Sequence, residues 1–391
     1  MRILLTSPTY PPINSGLGNA VAQQAAALLQ AGHEVVVATG GAKRCSMEVE
    51  GVRVEAFNLR GADSWLHPIK GSVSQYIDFL IHNAWDVVLL NAWQNWATDL
   101  AMRNLDKIAG RKFVYSHCIS TNVFYSHQPI RSLMRYVAWR PYWWRLPELI
   151  KRLDGVLFLA VGGTDTRFDD LRIARQYAVS LHIVPNSLSP AAVAILNKPK
   201  VPSSARERLI AVGSFHWQKG FDFLLRAYAA SQAKHKYALH LYGQENSSYS
   251  ANLRYLSLQL GLGEDQVFFH AGVTGEKLLE AYCQAKLVLS GSHTECQPLA
   301  LIDANAAGTP FVARSTGCIA NMQGGVVVNT WEKMAQEVDA LVEDGPTWNC
   351  LSEAGRQVAK NIYHPAVTAK QLLCALTLKT PRMPAGSINE G

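Results

Sequence analysis

Long apolar runs are missing from this chain of 391 residues: no window of about 18 consecutive apolar residues occurs, so a transmembrane helix is not expected. Nor does the N-terminus read as a signal peptide, because Ile3-Leu4-Leu5 is too short a run and is followed by polar residues and prolines. Charged residues are sparse, at 17% against 48% hydrophobic, which excludes a disordered chain and indicates a globular one. Cysteine is scarce and unpatterned. The seven are scattered, odd in number and form no CxxC pair, which argues against a disulfide framework and a zinc site and suits a reducing cytosol. Acidic excess is also lacking. The net charge of +7 leaves nucleic acid, anionic lipid or an acidic small-molecule substrate open as partners.

What the chain has is alternation. Strand-length apolar runs at Arg2–Thr6, Glu34–Thr39, Val52–Asn58, Asp86–Asn91, Lys112–His117, Gly155–Val161 and His182–Pro185 are mostly separated by helical patterns such as Ala20–Ala31 and Trp96–Ile108. Continuous runs such as "WDVVLLN" and "DGVLFLAV" suit strands buried on both faces, and hence a parallel sheet. A polar, proline-bearing stretch follows from Asn186 to Arg208, after which the alternation restarts with "RLIAVGSF", "YALHLYG", "QVFFHAG", "KLVLSGS", "TPFVARS" and "GGVVVN". The length suits two domains of similar size. The expected organisation is an N-terminal doubly wound domain over 1–187, a linker over 188–206 and a second such domain over 207–364. A helix over 365–380 is expected to return to the N-terminal domain, with a polar tail over 381–391. Two Rossmann-like domains would face a central cleft, with ligands at the carboxyl ends of the strands.

Three stretches carry candidate chemistry. "TSPTYPPINSGLGNAV" places Gly16 and Gly18 after the first strand, where backbone N–H groups at a helix start could face an anion. The full GxGxxG is absent, with Val21 at the third position and no acid ending the next strand, so a dinucleotide fold is disfavoured; a plain tight turn is the alternative. "AVGSFHWQKGFDFLLRAY" puts Lys219 at the lip of a strand-loop-helix unit, a natural counter-charge for a diphosphate, beside Gly213-Ser214 and His216. "SGSHTECQPLALIDANAAGTP" sets Glu295 and Asp303 eight positions apart across a strand end and the following helix. Carboxylates there cannot serve phosphate, but they accept hydrogen bonds from sugar hydroxyls at about 1.5–3 kcal/mol each. The plainer alternatives are an acid favoured by a helix start for Glu295 and a buried, satisfied acid for Asp303.

Taken together, Gly16 and Gly18, "VGSFHWQKG" and "SHTECQPLALIDANAAGTPFVARSTGC" resemble the retaining glycosyltransferases of family GT4, with the GT-B fold, over nearly the whole chain. The resemblance implies metal-independent hexosyl transfer, with retention, from a nucleotide-diphosphate sugar that acts as co-substrate, with no cofactor. On its pattern Lys219 would bind the donor phosphates, joined by Ser214, and Glu295 would hold sugar hydroxyls. The backbone of Cys296, Gln297, Pro298 and Leu299 would line sugar and phosphate, and Asp303 would take the ribose. Gly16 and Gly18 would allow close approach, and His117 would sit at the reaction centre. Three departures stand out. The usual GR…K is Gly213-Ser214…Lys219, "GFG" is replaced by "CQP" with Pro298 lacking an N–H, and the second glutamate is Asp303, shorter by one methylene. Another GT-B enzyme such as a nucleotide-sugar epimerase, or a non-catalytic nucleotide-sugar or nucleic-acid binding protein, remains the alternative.

The stretch Gln128–Leu153 interleaves Arg131, Arg135, Arg140 and Arg145 with Trp139, Trp143 and Trp144. Basic heads with interfacial aromatics suit an anionic membrane surface or a lipid-linked acceptor, as in cell-surface polysaccharide, lipopolysaccharide or glycolipid synthesis. A structural helix with a basic face, or a single-strand nucleic-acid surface, is the competing reading. Pro141 and Pro147 are expected to break the segment into pieces. The expected location is cytoplasmic, with peripheral contact at the inner face of the membrane.

Overall fold

The computed structural model describes residues 1–13, 15–125, 128–163, 166–177, 179–244 and 248–377. The expected tail over 381–391, and the last residues of the expected 365–380 helix, lie outside them. The chain divides into two compact units, Met1–Asn186 with the residues from Ala366 onward, and Ser187–Pro365.

The first unit is built on β1 (Arg2–Thr6), β2 (Glu34–Gly40), β3 (Cys45–Val49), β4 (Val52–Phe57), β5 (Leu59–Arg60), β6 (Lys70–Gly71), β7 (Val87–Asn91), β8 (Arg111–Ser116), β9 (Gly155–Phe158) and β10 (Ser180–Ile183). Its main sheet has the order β10-β9-β8-β7-β1-β2-β4-β3, while β5 and β6 form a separate short pair. Every pairing in that sheet is parallel except β3 with β4. The buried runs of β1 and β7 make the centre, since helices cover both faces of a parallel sheet. The helices are α1 (Gly16–Gln30), α2 (Val73–Ile81), α3 (Trp96–Arg103), α4 (Pro129–Lys151) and α5 (Asp169–Gln176).

Contrary to expectation, α4 is unbroken, with Pro141 and Pro147 inside it. Each interior proline costs about 3 kcal/mol. The helix buries Trp139, Tyr142, Trp143, Leu146 and Ile150, each contributing about 1.5–3 kcal/mol, so packing outweighs the two breaks. Cys45 and Cys374 are free thiols in this unit.

The second unit is a sheet of β11 (Arg208–Val212), β12 (Ala238–Gly243), β13 (Val267–Ala271), β14 (Ala285–Ser290), β15 (Phe311–Arg314) and β16 (Gly325–Val328). The order is β13-β12-β11-β14-β15-β16, all parallel. Helices α6 (Pro190–Leu196), α7 (Phe221–Ala230), α8 (Ser248–Gln259), α9 (Gly275–Gln284), α10 (Leu299–Ala306), α11 (Trp331–Glu343) and α12 (Gly345–Asn361) complete it. The stretch read as a linker therefore contains α6 and falls within this unit. The last helix, α13 (Pro365–Thr377), belongs to the first unit, where Arg111 Nη1 donates to Leu376 O at 2.8 Å. Cys283, Cys318 and Cys350 are free.

One buried cation ties the amino ends of the second sheet together. Arg206, 2% exposed, donates to the carbonyls of Val201, Tyr282, Ala285, Ala307 and Gly308 and to Thr309 Oγ1, at 2.6–3.3 Å. Its guanidinium also lies 5.0 Å from the Trp348 ring centroid. Burial lowers its pKa to about 10, so it stays charged at neutral pH. Arg206→Met should lower unfolding free energy by about 3–5 kcal/mol, because several buried acceptors lose a charged donor at once. Urea denaturation measures this, and a loss below about 1 kcal/mol would contradict the role.

Candidate functional site

In the second unit the direction of chain build-up reverses between β11 and β14. The loops leaving those two strands therefore flank the crevice where open parallel sheets take their ligands. Lys219 lies in the first loop and Glu295 in the second.

Glycines bring the two loops together. Gly220 has φ +59°, and a Cβ there would stand 2.0 Å from the Gly291 carbonyl oxygen; one on Gly291 would stand 2.4 Å from that of Gly220. Across the same seam His293 N donates to Gln218 O at 2.8 Å. Gly213 accommodates the Lys219 stem, with a hypothetical Cβ only 3.2 Å from Lys219 Cγ. Held in this way, Lys219 Nζ meets Glu295 Oε1 at 2.5 Å, and Ser292 Oγ donates to the same oxygen at 2.9 Å. A third loop locks the acid from behind. Gly317, φ +55°, would place a Cβ 1.8 Å from the Glu295 carbonyl, and Cys318 N donates to Cys296 O at 3.2 Å.

Cys296, Gln297 and Pro298 are buried in the second loop, and Leu299 opens α10. Pro298 is the N-cap and no side chain caps the helix. Of the four N–H groups at this helix start proline removes one and Leu301 N donates to Pro298 O at 3.1 Å, which leaves those of Leu299 and Ala300 without a partner among the described residues, four and five positions after Glu295. Ser214 is exposed in the first loop, its carbonyl accepting from His216 N at 2.7 Å. Arg314, at the end of β15, adds a cation on this edge, with Nη1 2.8 Å from His293 Nδ1. Among the described residues no cluster of three or more His, Cys, Asp or Glu could hold a metal.

Asp303 sits on α10 with a half-buried carboxyl that has no hydrogen-bond or ion partner among the described residues. Burial raises its pKa to about 7. Its charge is felt by Tyr282, whose hydroxyl is buried and unpaired. The group therefore has hydrogen-bonding capacity to spare.

In the first unit the reversal falls between β1 and β7. Ser15 caps α1 and its Oγ accepts from Gly18 N at 2.9 Å, so that amide is committed within the turn. Gly18 is small because Thr9 O would be 3.2 Å from a Cβ, whereas Gly16 stands in open space. The tight-turn reading therefore describes Gly18, while no packing contact requires glycine at position 16. His117 follows β8, half-buried, with Nε2 3.3 Å from Asn91 Oδ1 and its ring 4.9 Å from that of Tyr115. Burial lowers its pKa to about 4, so it is neutral near pH 7. Asn91 is fully buried with Nδ2 unpaired. Ala92, Gln94 and Cys118 adopt positive φ at the same strand ends, the kind of strain that collects at working sites.

The basic-aromatic patch is only partly a surface. Trp139 and Trp143 are core side chains at 6% exposure, because α4 turns them inward. Arg135 bonds Val123 O, Arg140 bonds Asn122 Oδ1, and Arg145 pairs with Asp63 at 2.9 Å. Arg131 and Trp144 remain at the surface. Ser292, Arg314, Asn91 and the packing glycines Gly291 and Gly317 were not singled out from sequence. Glycines beside the strand ends, in "LSGS" and "RSTGC", were the signal available.

Asp303 makes a pH dependence testable. Its folded pKa lies above the unfolded value of about 3.8, so the folded state holds the proton longer and stability from this group falls as pH rises from about 4 to about 7. The stability difference between Asp303→Asn and the native protein should therefore shift in favour of the variant across that window. Denaturation at pH 4.5, 6 and 8 checks it, and a constant difference would contradict it.

Residues 195–358 match the family model "Glycosyl transferases group 1". A D-inositol 3-phosphate glycosyltransferase of Segniliparus rotundus is 30% identical over 158 residues, which is 38% of this chain and 35% of that protein. The chain spans 40% and 35% of the length of the curated relatives it matches. Among solved structures, the sucrose-phosphate synthase of Thermosynechococcus elongatus superposes with a TM-score of 0.71 at 19% identity, covering 95% of this chain and 97% of that one. Anabaena HepE in complex with UDP gives 0.67 at 16% identity, covering 96% and 100%. The fold is GT-B, with two Rossmann-like units, and its second unit carries the sequence match to the group 1 glycosyl transferases.

Proposed function

We propose that this protein is a retaining, metal-independent glycosyltransferase of the GT4 kind, moving a hexose from a UDP- or GDP-sugar to a glycan or lipid-linked acceptor. The observation that carries the reading is the Lys219–Glu295 pair at the switch point of the second sheet, beside the uncapped start of α10. Lys219 and the free amides of Leu299 and Ala300 suit a diphosphate, whose charge grows as the sugar leaves. Glu295 suits sugar hydroxyls and Asp303 a ribose diol, to which an ionised carboxylate would accept. UDP in complex with Anabaena HepE supports a nucleotide donor in this fold.

His117 is neutral at working pH and suits a hydrogen bond to the donor sugar rather than a charge contact. Retention then needs no protein nucleophile: a donor phosphate oxygen takes the acceptor proton as the acceptor oxygen bonds the anomeric carbon and the nucleotide diphosphate departs. The acceptor side falls to the first unit. A role in cell-surface polysaccharide or glycolipid synthesis, with peripheral contact at an anionic membrane, follows from the lipid-linked acceptor. No described helix is long and apolar enough to cross a membrane.

Glu295→Ala should abolish transfer, by at least a hundredfold in kcat/KM, with little change in Tm. Near-native turnover would contradict the assignment. A thermal-shift screen against UDP-, GDP- and ADP-sugars should show stabilisation by one of the first two. Release of free nucleotide diphosphate only with acceptor present separates transfer from epimerisation.

A further inference from the structure

Helix α4 is apolar on two sides. Its inward side buries Trp139, Tyr142, Trp143 and Leu146. The outward side carries Ile130, Leu133, Met134, Val137 and Trp144, at 76%, 59%, 53%, 55% and 73% exposure. Their spacing of three, one, three and seven residues puts them on one stripe, about 21 Å long at 1.5 Å per residue. Large apolar side chains scattered singly on a surface are ordinary, but a continuous stripe of five is not.

The charges around the stripe choose its occupant. Arg131 is exposed and has no partner among the described residues. Arg135 bonds only a carbonyl and lies over Tyr125, while Arg140 bonds an amide oxygen and lies over Tyr136, so neither is neutralised by an acid. At the Trp144 end a hollow of about 360 Å³ is lined by Asn122, Arg140, Trp143, Trp144, Asp169 and Arg172, where Arg172 is paired with Asp169 and only Arg140 brings a cation without an acid of its own. A second copy docked through this stripe would bring like charges together. Anionic headgroups would instead meet the arginines while the stripe reaches the acyl boundary, with Tyr136 and Trp144 at the interface.

We propose that the outward face of α4 docks the protein on an anionic lipid bilayer, with Ile130, Leu133, Met134, Val137 and Trp144 entering the interface and Arg131, Arg135 and Arg140 facing the phosphates. This deepens the membrane contact in the proposed function by assigning it a surface and a lipid class, and it stands apart from the chemistry at Lys219 and Glu295.

Co-sedimentation of the full chain with phosphatidylcholine vesicles, with and without phosphatidylglycerol, tests it. Binding should require phosphatidylglycerol, weaken with salt, and fall at least tenfold in Leu133→Glu/Val137→Glu, whose exposed positions leave Tm unchanged. Absence of binding by the native protein, equal binding by the variant, or binding indifferent to lipid charge would overturn it. A concentration-dependent dimer that the same double substitution dissolves would assign the stripe to a second copy and overturn it as well. Glu295→Ala should sediment like the native protein. Absence of stabilisation of the native protein by any nucleotide sugar, with its sedimentation intact, would defeat the proposed function and leave the docking surface standing.

Discussion

Two glycines touching backbone to backbone set the geometry of the second unit's working edge. Gly220 and Gly291 each lie where a methyl group would run into the other's carbonyl oxygen, at 2.0 and 2.4 Å. That approach, tighter than any side chain permits, lets the loop after β11 and the loop after β14 share one small space. Lys219 and Glu295 meet there because their loops do. Gly317 extends the same logic to the loop after β15, where a Cβ would overlap the carbonyl of Glu295 itself. Three loops are thus joined by backbone contacts at this edge, and a site needs its groups in place before charge develops.

The electrostatics follow from that geometry. The lysine and glutamate satisfy each other at 2.5 Å, so the crevice holds its charges as a pair rather than as two isolated ions. In the proposed function a diphosphate sugar would divide them by chemistry, drawing phosphate to the ammonium and hydroxyls to the carboxylate. Asp303, raised to about 7 by burial, is a carboxyl with few competitors for its hydrogen bonds. Its question of reach, posed by one missing methylene, becomes a question of protonation. The neutral form can donate one bond, whereas the ionised form can accept two from a diol.

Much of the architecture was legible because its signals are strong. The central parallel strands are short buried runs bounded by turns, and "WDVVLLN" or "KLVLSGS" can hardly be read otherwise. The antiparallel β3 was missed because its middle residues are exposed and carry no alternation to see. Pro141 and Pro147 misled because local chain stiffness ranks below the burial of five large side chains, which only tertiary packing supplies. Trp139 and Trp143 looked interfacial because aromatic and basic residues alternate there, but one turn of helix decides which ring faces the core. Lys219 and Glu295 were readable as candidates. Their pairing was not, since it depends on glycine contacts between segments about seventy residues apart. Gly18 shows the converse: a glycine beside a helix start serves its own turn, its amide held by Ser15.

In the proposed function the glycine seam holds a cation and a carboxylate where a nucleotide diphosphate would bind. The most direct test is the dissociation constant of UDP or GDP, whichever the protein takes, for Gly291→Ala against the native chain. Because a Cβ at Gly291 meets backbone rather than a yielding side chain, the account predicts at least a tenfold loss of affinity with far-UV circular dichroism unchanged. Unchanged affinity in a folded variant would contradict it.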